Sequence, residues 1–150
     1  MPGVIARVTE ADLPELLPLM RGYCDFYEVD PGDEALLAMS RELIADPDKE
    51  GLQLIARDAG RAIGFATIFW TWSTLSASRI GVMNDLFVHP DGRGSGAADA
   101  LIQACAERCR ERGATTLEWS TARDNLRAQQ VYERVGGTRD ERWLGYSLEL

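Results

Sequence analysis

The run VHPDGRGSGAA (88–98) holds the residue types that bind phosphate: glycines, one arginine and a serine within a few positions. Glycine lets the backbone take unusual dihedrals and approach a ligand with no Cβ in the way. Amides of Gly94, Ser95, Gly96, Ala97 and Ala98 would point into the turn, and a helix beginning at Ala97 adds positive potential there. Arg93 contributes a permanent cation with a donor fork. Together these suit a pyrophosphate. The GxxxxGK[ST] pattern of nucleotide triphosphatases is excluded because the turn has no lysine. The dinucleotide GxGxxG is excluded because only Gly92, Gly94 and Gly96 are available, with Ala97 next. A plain tight turn between strand and helix is the other reading of the glycines alone.

Just upstream, Asp85 is a carboxylate beside the apolar run Leu86-Phe87-Val88. It could act as a base, orient a water or anchor an ammonium, or it could simply hydrogen-bond backbone at a strand irregularity. Its neighbour Asn84 cannot act as a base. Aromatic residues offer a cation surface: Tyr23, Phe26 and Tyr27 near Asp25, Glu28 and Asp30, and Trp70 with Trp72. Alternation puts the two tryptophans on one strand face. Core packing or a dimer surface is the alternative for each. His89, next to Pro90, reads as a turn residue. Asn125 and Tyr132 are seven apart, hence on one helix face and about 10.5 Å apart along the axis.

The elements that must carry these residues follow from periodicity. Residues 4–9 read as a strand, and Thr9 caps a helix with Leu13, Leu16, Leu17 and Met20 at helical spacing. A second helix is predicted over 33–45, ended by Asp46-Pro47-Asp48. Strands are predicted at 52–58, 61–73 and 78–90, with Ala59-Gly60 as a hairpin turn. A helix from Ala97 to about Arg112 is stopped by Gly113. A strand at 115–121, a helix at 124–136 closed by Gly136-Gly137 and a last strand at 141–150 complete the chain. The β-α-β unit around the glycine turn should be parallel and right-handed. The class is α/β, a mixed and mostly antiparallel sheet with helices on both faces, in a single domain spanning 1–150.

The net charge of −8 argues against a dedicated nucleic-acid binder, which needs a basic face. No apolar run approaches the ~18 residues of a membrane span, and the start MPGVIARVTEAD shows no signal pattern, so a cytoplasmic location is expected. Cys24, Cys105 and Cys109 cannot all pair. Cys105 and Cys109 share a helix face but have no nearby histidine or CxxC, so they read as buried apolar thiols and no metal is expected.

The run Arg93-x-x-Gly96-x-Ala98 resembles the acyl-CoA-binding motif of the GCN5-related N-acetyltransferases, Arg/Gln-x-x-Gly-x-Gly/Ala. Downstream, Asn125, Ala128, Tyr132 and Gly136 resemble that family's N-x-x-A-x-x-x-Y-x-x-x-G pattern, and IGFATI with NDLFVHP resembles its central strands. The resemblance covers residues 62–137 and implies a sheet of six to seven strands in the acyl-CoA N-acyltransferase fold. It implies acetyl-CoA as cosubstrate, with Arg93 to Ala98 on the pyrophosphate and Leu86, Phe87, Val88, Asn125 and Ala128 along pantetheine. The β strand carrying 84–88 would splay from its neighbour at a bulge. An amine would attack the thioester directly, with a backbone N–H near Leu86–Val88 meeting the oxyanion. Tyr132, a phenol with an ordinary pKa near ~10, would protonate the departing thiolate.

An alkylammonium with a pKa near ~10.4 must lose a proton before it attacks. Family members that acetylate polyamines and small amines often carry Glu-Asp before the Leu-Phe/Tyr-Val run, where this chain has Asn84-Asp85. Asp85 is then the candidate catalytic carboxylate, with Tyr23, Tyr27, Trp70, Trp72 and Asn84 around a small-amine or polyamine-like acceptor. Acetylation of a protein or peptide is the alternative, and a non-catalytic acyl-CoA-binding protein is the alternative of another class. A homodimer is expected, from the terminal strand edge and from its frequency in the family.

Overall fold

The computed structural model describes residues 3–150. Strand β1 (Ile5–Arg7) runs into a 3-10 turn at Glu10–Asp12 and then helix α1 (Leu13–Phe26). The change of direction is fixed locally. The Asp12 carboxylate accepts from the Thr9 amide at 2.8 Å and from the Thr9 hydroxyl at 3.1 Å, satisfying a donor that the start of a helix leaves open. Pro14 falls in the first turn of α1, where a missing amide has no consequence. Helix α2 (Asp33–Ala45) follows. Leu13, Leu16, Leu19 and Met20 of α1 and Leu36 and Leu43 of α2 turn inward at helical spacing.

Strands β2 (Gly51–Asp58), β3 (Arg61–Ser73), β4 (Ser78–Val88) and β5 (Leu117–Glu118) complete the sheet, with α3 (Ala97–Glu111) between β4 and β5 and α4 (Leu126–Arg134) after β5. Spatial order is β1-β2-β3-β4-β5, antiparallel throughout except for the parallel β4–β5 pair across α3. The β2–β3 turn has positive φ at Ala59 and Gly60, 50° and 78°, a primed geometry that matches strand twist. Ile55, Phe65 and Phe87 meet α1 and its neighbour α2 on one face. Gly64 and Gly81 meet α3 on the other, and a Cβ at Gly81 would lie 2.3 Å from the Cys109 sulfur. That closeness is why α3 can seat against bare backbone. Cys105 and Cys109 are buried there as free thiols, and burial pushes the Cys109 thiol up to about 11.

The chain divides into two compact units, the first ending at Ser120 and the second running Thr121–Leu150. In place of the expected six to seven strands, five form among the described residues. The segment 115–121 contributes only Leu117 and Glu118, paired with Gly81 and Val82. The alternating segment 141–150 forms no ladder. Alternation states which side chains would share a face, but a strand exists only where a neighbour supplies backbone partners, and that is not local information. No helix among the described residues is long and apolar enough to cross a membrane.

Arg57 ties β2 to the start of α1, its Nη2 lying 2.7 Å from Asp12 Oδ1 and 2.8 Å from Glu15 Oε1. Burial raises the Asp12 carboxyl, but hydrogen bonds from Thr9 and Arg57 outweigh it and hold the group below its ordinary value. Arg57→Ala should cost about 1–2 kcal/mol in urea unfolding at pH 7, partial exposure having been allowed for. A carboxyl with a depressed folded pKa stabilises above its unfolded value and loses that contribution as pH falls. The gap between wild type and variant should therefore narrow below about pH 4.

Candidate active site

The β3–β4 ladder pairs Thr67 with Asp85 and then Ile68 with Met83, leaving Asn84 as an extra residue on β4. A bulge of this kind bends the strand and re-aims its side chains. Asp85 emerges on the α1 side and is buried. Its Oδ1 accepts from Asn84 Nδ2 at 2.9 Å. Burial pushes its carboxyl above the ordinary range, while hydrogen bonds from Thr67, Tyr23 and Asn84 act against that rise. Burial outweighs those hydrogen bonds, so the carboxyl holds its proton more tightly than an exposed aspartate does.

Beyond Val82, β4 has no β5 partner, since β5 pairs only with Gly81 and Val82. His89 donates its N–H to Ile63 O at 2.7 Å on the β3 side. Antiparallel ladders alternate, so the amides of Leu86 and Val88 turn to the open side and that of Phe87 turns to β3. The result is an edge that an extended ligand can join as a strand would. Arg93 comes back to this edge, its Nε donating to Val88 O at 3.2 Å.

The turn between β4 and α3 is built by its own polar groups. His89 Nδ1 accepts from the Asp91 amide at 3.1 Å, and the Gly92 amide returns to His89 O at 2.8 Å. His89 is therefore a turn cap. The Ser95 hydroxyl donates to Gly92 O. Gly94 and Gly96 sit at φ 81° and 85°, a region other residues enter at a cost, and α3 begins immediately after. Amides at the start of α3, Gly96, Ala97 and Ala98, have no acceptor within the helix and carry the positive end of its dipole. Helix-start amides thus lie close in sequence to the strand edge that Arg93 returns to.

In the second unit, Asn125 caps α4, its Oδ1 accepting from the Ala128 amide at 3.2 Å. That leaves the amide nitrogen of Asn125 as the group it can offer a ligand. Tyr132 lies in the last turns of α4. The Gly137 amide donates to Tyr132 O at 2.9 Å and the Gly136 amide to Glu133 O at 3.1 Å, with Gly136 at φ 93°. These bonds make a Schellman closure, which fixes the backbone at Tyr132.

Of the aromatic residues, the structure brings together those of α1 and separates the tryptophans. Tyr23 meets Tyr27 at 5.2 Å between ring centroids and Phe65 at 5.9 Å, and its hydroxyl lies 3.4 Å from Asn84 O. Phe26 continues the row at 5.1 Å from Tyr27. Trp70 and Trp72 share a face, but it is the opposite one. Position parity on β3 puts Phe65 and Thr67 toward α1, and Trp70 beside Gly81 under α3. Trp70 donates to Pro47 O at 2.9 Å and stacks under Arg112, while Trp72 stacks under Arg79. An open cavity of about 480 Å³ lies beside Trp70, with Met39, Leu43 and Phe69 in its wall. Neither tryptophan joins Tyr23 and Tyr27 near Asp85.

Two polar residues of the site go unnoticed in the sequence reading, Gln53 and Thr67, both buried against the α1 side of the sheet. Their signal is present: each is a lone polar residue in an apolar strand, L-Q-L and A-T-I, and a buried polar group needs a partner.

Comparison with known proteins bears on the family and the fold. A family model described as Acetyltransferase (GNAT) family matches residues 16–137. The chain is 32% identical over 149 residues, 97% of each partner, to YhfO of Bacillus subtilis, an uncharacterized N-acetyltransferase. It is similar to the crystal structure of a probable acetyltransferase at 30% identity and a TM-score of 0.85, over 98% of this chain and 97% of that one. It also shares the fold of AAC(6')-Iy in complex with the bisubstrate analogue CoA-S-monomethyl-acetylneamine, with 23% identity, a TM-score of 0.85 and 98% of each chain covered.

Proposed function

The chain belongs to the GNAT family of acetyltransferases and is an N-acetyltransferase, and we propose that it moves the acetyl group of acetyl-CoA onto the primary amine of a small, cationic, polyamine-like acceptor. The observation that carries the reading is the bulge at Asn84. It turns Asp85 toward α1 while the same strand leaves its Leu86–Val88 edge open, close in sequence to the helix-start amides of α3.

Acetyl-CoA supplies an activated thioester. The chain's own groups do the rest. Arg93 and the amides of Gly94, Ser95, Gly96, Ala97 and Ala98 hold the pyrophosphate. The open backbone at Leu86, Phe87 and Val88 takes the pantetheine arm; in the second unit, Asn125 and Ala128 have the pantetheine role that the family resemblance implies. Asp85 removes the ammonium proton of the acceptor, a backbone N–H of the Leu86–Val88 edge meets the charge that develops on the acyl oxygen, and Tyr132 gives its proton to sulfur. Tyr23 and Tyr27, with Asp25, Glu28 and Asp30 on and after the end of α1, favour a cationic acceptor. The fold relative AAC(6')-Iy, an aminoglycoside N-acetyltransferase held with the bisubstrate analogue CoA-S-monomethyl-acetylneamine, supports a small-molecule acceptor. Small amines should accordingly outcompete peptides as acceptors. Preference for peptides would favour acetylation of protein, and CoA binding without transfer would favour a sensor.

Arg93→Ala tests the cofactor half. At a CoA concentration of 100 Kd, wild type should gain about 2.7 kcal/mol of stability, and a hundredfold weaker complex should keep only about 0.4 kcal/mol. Arg93 also bonds Val88 O, so the comparison is of each protein with and without CoA in thermal melts. Equal gains in both proteins would remove Arg93 from the phosphate site.

A further inference from the structure

Three side chains form a row across three adjacent strands on the α1 side of the sheet. Gln53 of β2 pairs with Thr67 of β3, and Thr67 pairs with Asp85 of β4. Gln53 is 2% exposed and Thr67 0%. Gln53 Nε2 donates to Thr67 Oγ1 at 3.1 Å. A hydroxyl has one proton to give, and with Gln53 donating to its oxygen, the Thr67 proton is left for the Asp85 carboxyl that lies opposite it in the ladder and whose ionised form Thr67 favours. The direction of the chain is therefore set at its far end. Gln53 Oε1, buried with it, has no hydrogen-bond partner among the described residues. Buried polar atoms are rarely left so, and an orphan beside a titrating group calls for a reason.

We propose that Gln53 and Thr67 are positioning residues for Asp85, a polar row that presents Asp85 to the acceptor as a carboxylate and reverses its hydrogen bonds when Asp85 takes the proton. The inference rests on the reading of Asp85 as the base. In the transfer, one N–H bond of the acceptor ammonium breaks and one O–H bond forms on Asp85. The protonated acid is then a donor toward Thr67, so the Thr67 hydroxyl must turn its own proton to Gln53. Gln53 can accept only through Oε1, and a half-turn of its amide brings the unpartnered oxygen to Thr67. No net proton travels along the row; only its polarity changes. The other groups facing Asp85 are Tyr23 and Cys24 of α1 and Asn84 of β4. Burial, and then the Asp85 charge, raise the Cys24 thiol, so it stays neutral beside the carboxylate.

Thr67→Val removes the donor with little change of shape. The acidic limb of the kcat/KM profile should move up by about one pH unit, a tenfold tighter hold on the proton. Gln53→Leu should shift the limb in the same direction, and Thr67→Ser should restore it. Ser40→Ala is the control. It deletes a neighbouring buried hydroxyl that donates to the Met20 sulfur, and it should leave the limb in place. Carbon-13 titration of the Asp85 carboxyl in the protein without CoA reads the same shift independently of turnover. A carboxyl titration and a rate limb both unmoved in Thr67→Val, or a limb moved equally by Ser40→Ala, would overturn the proposal. A carboxyl that shifts while the rate limb stays fixed would uphold the row and instead remove Asp85 as the base. Should Thr67→Val not fold, Gln53→Leu carries the same comparison.

Discussion

Asp85→Asn is expected to fold, to bind CoA as wild type does, and to lose about 10²–10⁴-fold in kcat/KM at neutral pH. The asparagine keeps the size and the oxygen that Asn84 Nδ2 donates to, so the row of strands and the packing of Tyr23 need not move. What disappears is the capacity to accept a proton from the acceptor ammonium. Stability should move the other way from activity. Burial raises the folded pKa of Asp85, so between the unfolded value of about 3.9 and that raised value the folded state binds more protons than the unfolded one, and stability falls as pH rises through the window. The neutral variant escapes that penalty. Its melting temperature at pH 7 should be equal to or above that of wild type, with the wild-type advantage, if any, confined to pH below 4. Full activity in Asp85→Asn would leave the buried carboxyl as a bulge-bonding group and move the base elsewhere.

Tyr132→Phe should lower kcat by about 100-fold or more while leaving CoA stabilisation unchanged. The change deletes one oxygen. The Gly137 amide donates to Tyr132 O and the Gly136 amide to Glu133 O, backbone bonds that the substitution keeps, so the end of α4 should survive it. A thiolate that departs without a proton donor is the poorer leaving group, and the deficit should be largest with acceptors of low amine pKa, whose ready deprotonation leaves expulsion of sulfur as the demanding step. Turnover equal to wild type would remove Tyr132 as the acid. Together, the two substitutions assign one proton transfer to each end of the reaction and should differ in pH dependence, Asp85→Asn losing the acidic limb of the profile and Tyr132→Phe retaining it.

The turn proposed to hold CoA has a conformation legible in the sequence because its parts are contiguous. Arg93, Gly94, Ser95, Gly96, Ala97 and Ala98 follow one another, and the positive φ at Gly94 and Gly96 is the conformation for which glycine is the ordinary choice. Helices and hairpins set by local periodicity were equally readable, α2 at 33–45 and β3 at 61–73 among them. The acceptor half depends on register. Whether Trp70 lies with Tyr23 or under Arg112 is a matter of parity along β3, and parity becomes meaningful only once Phe65 is known to face α1. Asn84 shows the same limit from the other side. As a residue type it cannot replace a carboxylate, yet as the extra residue of a bulge it is what turns Asp85 inward. Gln53 and Thr67 meet Asp85 only because three strands separated in sequence come into register. Residues 141–150 show the same limit, an alternating pattern that forms no ladder among the described residues.

The most direct test of acetyl transfer to a small amine is to incubate the protein with acetyl-CoA and a panel of primary amines spanning monoamines, diamines, polyamines, amino sugars and lysine-containing peptides. Free CoA thiol and acetylated product are followed together. The predicted result is amine-dependent thiol release, matched by N-acetylated product, strongest among small acceptors carrying a second cationic group. Thiol release that stays at background across the whole panel, in a protein that CoA stabilises against heat, would contradict the account and leave a CoA-binding protein without the transfer.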